Sequence, residues 1–456
     1  MKLRKTLDTY IILKEDSGYI ANPSLRKMLS VRDCGLDFLR ELTKDDIDEE
    51  KCIENLSAQF DVGKEVLAED FHEFVRSLIS EGLIEESLAQ KEPKIPLTMP
   101  PSIPQIERIE ICLTKACNER CVHCYLPNSL KAAKEMLPID IAKRLVAEFV
   151  EMGGSKVSFT GGEIFVYPYL EELLRYCASQ VGIDVEILSN GTLIGKDEVC
   201  LLKKYDVKKV QISLYSVIES EHDYITQRKG SCAKTKRCIE DLVKAGLDVV
   251  VSTPIMKVNY SSLPLLYNYV NHVGAILQFN HNLTARIDGT TDNLNMMLSE
   301  TDMENFYKIV CEEMPETADK LLRPGKNDFD RPEVVFDYLN SGDCSGIWLG
   351  LYITSNGKVS VCPNWENLKI GDCSQMSLNE IWNKNANLQM IRGITHKSNS
   401  KCLHCQLSDY CQVCPVISWT ECNHSFTEIP KSVCRIAEIR KRVYNEYKDR
   451  IDRNER

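Results

Sequence analysis

Cys117, Cys121 and Cys124 lie in the run Ile111-Cys-Leu-Thr-Lys-Ala-Cys-Asn-Glu-Arg-Cys-Val-His-Cys-Tyr-Leu126 at spacing C-x3-C-x2-C, and Thr160-Gly161-Gly162-Glu163 follows downstream. Three thiolates from one short loop can hold three irons of a cubane iron-sulfur cluster and leave the fourth without a protein ligand. A cluster that binds a substrate or cofactor must offer such an iron. Structural zinc is the competing use, because zinc also takes cysteines two to four residues apart, with four ligands in all. The loop alone leaves both readings open.

A second array runs from Cys344 to Cys434. Cys344 is followed by twelve residues, Gly357, four more residues and Cys362; then come Cys402-x2-Cys405-x5-Cys411-x2-Cys414 and finally Cys434. The chain has 20 cysteines in 456 residues, which could suggest disulfides. Its first residues, Met1-Lys-Leu-Arg-Lys-Thr-Leu-Asp-Thr-Tyr10, run into mixed polar sequence with no apolar signal core, and nothing reads as a transmembrane span. A cytoplasmic protein keeps its thiols reduced, so clustered cysteines are better read as metal ligands than as crosslinks. A net charge of −11 argues against nucleic acid, whose binding rests on Lys and Arg neutralising phosphates.

Elements must bring these residues together, and the length implies two or three domains. The Pro-rich segment 91–104 has no periodicity and reads as a linker. Before it, Tyr10–Leu13 and Tyr19–Ala21 flank Asp16-Ser-Gly18 as a hairpin. Helical patterns follow at Val31 to Leu42, Asp48 to Phe60 and Val66 to Glu81, the last with Leu67, Phe71, Phe74, Val75 and Leu78 on one face. From Glu107 onward the pattern alternates. Strands are expected at 108–113, 156–159, 184–188, 209–214, 248–252 and 275–280, with helices at Ile139 to Met152 and Lys234 to Ala245. Such βα units in series imply a parallel sheet with right-handed crossovers, which a barrel or a doubly wound sheet would satisfy equally. Cys34, Cys52, Cys177, Cys200, Cys232 and Cys238 fall mostly within helical patterns as small core residues. Ile436, Ile439, Val443, Tyr447 and Ile451 mark one apolar face of a last helix, expected to dock on the protein.

The cysteine triad with its downstream Gly-Gly-Glu resembles the radical S-adenosylmethionine (SAM) superfamily. The resemblance implies an α/β fold whose core is a partial (β/α)6 barrel, over 105–300. On such barrels sites lie at the C-terminal strand ends, where the candidate residues fall. By resemblance, Cys117, Cys121 and Cys124 hold the SAM-binding cluster. Gly161 and Gly162 allow close backbone approach, and Glu163 offers its carboxylate to the SAM ammonium. Ser189, Asn190 and Ser213 are suited to polar contacts with SAM, and Arg228 to its carboxylate. Tyr215 stands where many relatives have an acid.

The later cysteines resemble the SPASM domain, over 341–435, which binds two auxiliary [4Fe-4S] clusters. The family's connectivity would give Cys344, Cys362 and Cys414 to the first and Cys402, Cys405, Cys411 and Cys434 to the second. Three thiolates plus seven make ten, while one open and two full cubanes need eleven. Either Cys311, Cys373 or Cys422 completes the first auxiliary cluster, or a substrate thiolate can occupy its open iron. A pair of zinc sites is the alternative, and zinc could not carry electrons. Residues 1–90 resemble the winged-helix-like leader-recognition element of ribosomal-peptide maturation systems; a DNA-binding winged helix is the competing reading. Residues 301–340 form a bridge and 436–456 a terminal helix.

This domain order, with Thr160-Gly-Gly-Glu-Ile-Phe-Val-Tyr-Pro168 and Cys124-Tyr-Leu126, resembles the sactisynthases, which join a cysteine sulfur to an α-carbon in a precursor peptide. The implied cofactors are SAM and three [4Fe-4S] clusters. The implied partners are a leader-bearing precursor peptide and an electron donor such as flavodoxin or ferredoxin, with no nucleic acid and no membrane insertion. No side chain stands out as a general base. A β- or γ-carbon thioether, a carbon-carbon crosslink, and an iron-sulfur winged-helix regulator are the alternatives.

Overall fold

The computed structural model describes residues 2–5, 9–13, 18–22, 27–31, 34–43, 48–60, 62–87, 106–126, 134–180, 182–324, 345–365, 368, 370–392, 402, 405–422, 425 and 428–454. The chain divides into two compact units, 1–104 with 329–340 and 105–328 with 341–456.

In the first unit β2 (Tyr10–Leu13), β3 (Gly18–Asn22) and β4 (Lys27–Val31) form an antiparallel sheet, while β1 (Lys2–Lys5) pairs antiparallel with β5 (Ile84–Ser87). The expected hairpin is β2–β3, with Ile11 opposite Ile20 and both buried. The helices are α1 (Cys34–Glu41), α2 (Glu49–Phe60) and α3 (Lys64–Ser80). Phe71, Val75 and Leu78 of α3 enter the core, with Leu67 and Phe74 packed on its margin and Phe38 edge-on to Phe71 at 5.3 Å. Five strands stand where two were expected. β1 and β5 are four residues each, too short to display alternation, and Val31 ends β4 where the helical period had claimed it.

The second unit holds β6 (Arg108–Thr114), β7 (Lys156–Gly161), β8 (Asp184–Ser189), β9 (Lys209–Ser213), β10 (Asp248–Pro254) and β11 (Ile276–Asn280). They pair in parallel in chain order, with helices in the crossovers that include α4 (Ile139–Glu151), α5 (Leu170–Ala178), α6 (Lys196–Lys204), α7 (Glu219–Thr226), α8 (Ser231–Lys244) and α9 (Leu263–Val273). A doubly wound sheet reverses its strand order at a switch point. Monotonic order has no such reversal, and right-handed crossovers then stack every helix on one face and curl the sheet towards a barrel. The ring stays open because the outer edge of β6 pairs in parallel with β12 (Gly350–Ile353), leaving no edge for β11.

β12 continues into β13 (Lys358–Ser360) and β14 (Gly371–Asp372), both antiparallel. Gly357 turns the first hairpin at φ +78°, a left-handed conformation that L side chains rarely adopt. After α10 (Glu300–Glu313) and α11 (Pro315–Leu322), the last helix, Lys431–Asn454, packs on α10 and buries Ile439 and Val443. It begins before Cys434 rather than after it. Cys52, Cys177, Cys232 and Cys238 are buried, whereas Cys34 and Cys200 sit on outer helix faces and are exposed. Among the described residues no helix is long and apolar enough to cross a membrane.

Candidate functional site

The cysteine loop leaves the C-terminal end of β6 and is caged by three neighbours. On one side the end of β7 presses against it: Gly162 N donates to Thr114 O at 2.7 Å and Glu163 N to Ala116 O at 2.8 Å. A Cβ on Gly161 would stand 2.4 Å from Thr114 O and one on Gly162 2.3 Å from Ala116 O, so only glycine permits the approach. On the second side α7 supplies Thr226 O and Ile225 O to the amides of Arg120 and Val122. On the third, Arg286 donates to the carbonyls of Cys124, Leu126 and Val122 while pairing with Asp292 at 3.0 Å.

Inside this cage Cys117, Cys121 and Cys124 line a cavity of about 440 Å³ at the mouth of the barrel, together with Gly161, Gly162, Ser189, Asn190 and Ser213. Burial pushes the Cys117 thiol up to about 12, and raises Cys121 and Cys124 in the same direction. Thiols that resist ionisation alone lose their protons to solvent when they bind a metal ion. Three of them beside a glycine-backed wall suit a cubane with one open iron, together with SAM. Among the described residues no three His, Cys, Asp or Glu side chains converge as ligands of a single ion. Thiolates on a cubane need not converge in that way, since each binds its own iron.

Asn190 ties the loop to β8: its Nδ2 donates to Asn118 Oδ1 at 2.7 Å and lies 3.9 Å from Cys117 Sγ. Tyr215 lines the same cavity, its hydroxyl 3.9 Å from Cys121 Sγ and its ring stacked on His222 at 5.3 Å.

Two expected SAM contacts have other partners. Glu163 is fully buried and off the cavity wall. Its Oε1 accepts from Phe165 N at 3.1 Å and Ser189 Oγ at 2.8 Å, and its Oε2 from Asn190 N at 2.8 Å. The carboxylate therefore fastens the end of β7 to the end of β8. Arg228 is also absent from the cavity lining; its guanidinium donates to Asn118 O, and its charge bears on Glu119.

Sequence reasoning missed three residues on this wall. Glu119, between two of the cysteines, is pushed up to about 7 by burial and accepts from Ser231 Oγ. Its position inside the motif was the available signal. Glu110 lines the cavity and is likewise raised to about 7 by burial; it is half-buried by surface area, and the cavity accounts for its exposure. Arg286 follows the last barrel strand, a position that fits a site residue, but no local motif marks it.

Cys344 lies outside the described residues. Cys362 follows β13, and the next two residues, Pro363 and Asn364, line the same cavity as the triad. Cys414 caps the start of the helix Pro415–Glu421 and Cys422 its end, which sets these two thiols at opposite ends of it. Burial pushes Cys411 up to about 12, and Cys434, Cys402 and Cys405 are near enough to push it further. Those three are the cysteines whose charge bears on Cys411. Cys311 is raised to about 11 by burial, with Glu312 and Arg450 as charged neighbours, and Cys373 to about 12, with Glu148, Arg144 and Asp372. Neither has a cysteine among those neighbours.

Residues 111–270 match the radical SAM superfamily and 344–406 the SPASM iron-sulfur cluster-binding domain. The subtilosin biosynthesis protein AlbA of Bacillus subtilis is 27% identical over 306 residues, which are 66% of this chain and 65% of that protein's length. An AdoMet-dependent heme synthase of Oleidesulfovibrio alaskensis is 24% identical over 358 residues, 74% of this chain and 89% of that protein. Streptococcus suis SuiB, solved bound to the precursor peptide SuiA, shares the fold at TM-score 0.60 and 17% identity, over 95% of this chain and 100% of that one. The chain thus carries a radical SAM domain and a SPASM domain, which use SAM and iron-sulfur clusters.

Proposed function

We propose that this chain joins a cysteine sulfur to the α-carbon of another residue in a ribosomally synthesised precursor peptide, in the cytoplasm, with SAM and three [4Fe-4S] clusters as cofactors. The observation that carries the reading is the shared wall. Pro363 and Asn364, next to Cys362, line the cavity that also holds Cys117, Cys121 and Cys124. The triad and the two residues that follow Cys362 thereby border one chamber. The kinship with a subtilosin biosynthesis protein and the fold shared with a peptide-bound enzyme support a peptide as the occupant.

When bound, SAM and a reduced cubane supply a 5′-deoxyadenosyl radical. Cys117, Cys121 and Cys124 hold the cubane, while Gly161, Gly162, Ser189, Asn190 and Ser213 wall the space beside it. Glu163 and Asn190 fix that wall, and Arg286 and Arg228 fix the loop, so that reacting groups meet in a set orientation. The barrel walls exclude water from the radical, which is the protein's main share of such chemistry. Cys402, Cys405, Cys411 and Cys434 give the second auxiliary cluster four thiols. Cys344, Cys362 and Cys414 give the first only three, which leaves one ligand position for a thiol from outside the chain. The peptide loses a hydrogen atom from the α-carbon, and a proton and one electron from the thiol. A small carrier such as flavodoxin or ferredoxin exchanges electrons with the enzyme. Residues 1–90 hold the leader by pairing it with a free edge of the β2–β3–β4 sheet.

The test uses reconstituted protein, SAM, a reductant and a Cys-containing candidate precursor deuterated at its α-carbons. The expected product is lighter by one hydrogen and one deuterium, resists thiol alkylation, and fails to form from a Cys-to-Ser precursor. A crosslinked product that keeps every α-deuterium overturns the α-carbon assignment and points to a β- or γ-carbon thioether or a carbon-carbon bond.

A further inference from the structure

Arg440, in the last helix, is 6% exposed, yet among the described residues no carboxylate pairs with it. Its Nε donates to the Tyr307 hydroxyl at 3.0 Å, its Nη1 to Tyr410 O at 3.2 Å, and its Nη2 lies 3.3 Å from His281 Nε2. The Tyr307 hydroxyl in turn lies 2.9 Å from the same His281 nitrogen. Tyr307 is fully buried and His281 is 5% exposed. Burial, and then Arg440 itself, holds His281 down to about 3, so the imidazole is neutral. Among the described residues every hydrogen-bond partner of this cation is therefore neutral, and a buried cation without an anion is costly.

The missing anion has a place to be. Tyr410, whose carbonyl accepts from Arg440 Nη1, directly precedes Cys411, so the guanidinium is fastened to the backbone that carries one thiol of the expected second set. A cubane on four thiolates is a dianion when oxidised and a trianion when reduced, and nearby charge and hydrogen bonding set its potential. We propose that Arg440 is the buried counter-cation of the second auxiliary cluster and sets its reduction potential, with His281 and Tyr307 as the neutral groups that position it. The inference rests on the reading of Cys402, Cys405, Cys411 and Cys434 as one ligand set.

The experiment is an anaerobic redox titration followed by electron paramagnetic resonance. It uses full-length protein in which Cys117, Cys121 and Cys124 are replaced by alanine, so that only auxiliary clusters report. The second cluster is identified as the signal lost on Cys434→Ala. Arg440→Gln should move that midpoint to more negative potential and leave the other in place, and Arg440→Lys, which keeps the charge, should move it less. An unmoved midpoint in Arg440→Gln, or both midpoints moving together, overturns the inference while the ligand assignment stands. If Arg440→Gln loses the cluster, Arg440→Lys decides: iron restored supports the role of charge, and iron still absent overturns it. A protein that never holds a cluster at the four cysteines removes the ligand reading and the inference together.

Discussion

Glu163→Gln separates a positioning carboxylate from a ligand. The wild-type side chain takes three donors: Phe165 N and Ser189 Oγ on one oxygen, Asn190 N on the other. An amide of the same shape keeps only one oxygen. Ser189 Oγ already accepts from Gly191 N at 3.0 Å, so its proton is needed for Glu163, and the cheaper rotamer leaves the amide oxygen on Phe165 and Ser189. The NH2 group then faces the Asn190 amide, donor against donor. One charge-assisted bond is lost and one buried N–H is left unsatisfied. Burial disfavours the charge that the substitution removes, as the upward direction of the Glu163 pKa shows, and this offsets part of the loss. A net cost of about 2 kcal/mol follows, or roughly a thirty-fold rise in local opening at about 1.36 kcal/mol per factor of ten. Amide hydrogen exchange reads this directly. Asn190 should exchange roughly thirty-fold faster, while amides in the middle of β10 keep their rates and SAM affinity falls as the wall loosens. Weakened SAM binding with unchanged exchange at Asn190 would refute the reasoning and restore the carboxylate as a direct ligand of the ammonium.

Glu110 gives a pH signature. Burial lifts it from 4.5 to about 7, with Arg108 pulling it down and Glu186 pushing it up. A folded-state pKa above the unfolded one means that its contribution to stability is full below about pH 4.5 and is lost as pH rises through about 7. Glu110→Gln should therefore match wild type in unfolding free energy near pH 4.5 and exceed it at pH 8, by about 2 kcal/mol after allowance for cavity solvent; an equal gap at both pH values in denaturant titrations counts against the shift. Removing residues 1–90 should weaken binding of the leader peptide in fluorescence anisotropy by tenfold or more, the equivalent of about 1.4 kcal/mol, and leave uncoupled SAM cleavage intact. Unchanged affinity would sink the leader reading, and DNA binding by the removed segment would favour the regulator.

Local signals carried much of the architecture. The barrel strands are short apolar runs that need no partner to be recognised, and all six lie within a residue or two of their expected bounds. The cysteine triad was legible because one loop carries it. What the sequence hid is non-local. Glu163 and Arg228 were assigned to SAM by resemblance to family motifs, and a local motif does not say which partners each side chain takes in this fold. Their partners, Ser189, Asn190 and the Asn118 carbonyl, lie on other elements, and only the fold selects among them. Arg286 is the converse case: its hold on Cys124 O spans 162 residues of chain, and no spacing rule reaches that far.

The pairing of β12 with β6 is equally non-local, and it links the open barrel to the chemistry. Gly350 to Ile353 lie beside Arg108 to Ile111 in parallel, on the edge that a closed barrel would give to its last strand. A Cβ on Gly350 would stand 2.6 Å from Arg108 O, so the approach depends on glycine there. With that edge occupied, the sheet continues out of the barrel into the β12–β13 hairpin, and beyond its end Pro363 and Asn364, next to Cys362, reach the cavity wall. Two further ties stiffen the junction: Leu378 N donates to Glu148 Oε2 at 2.7 Å, and Arg144 donates to Cys373 O. Cys373 is fixed by this seam to α4. The interruption that keeps the barrel from closing is what leads the sheet on to Cys362, whose next two residues line the cavity. A chain that closed its barrel would have to deliver that thiol by some other route.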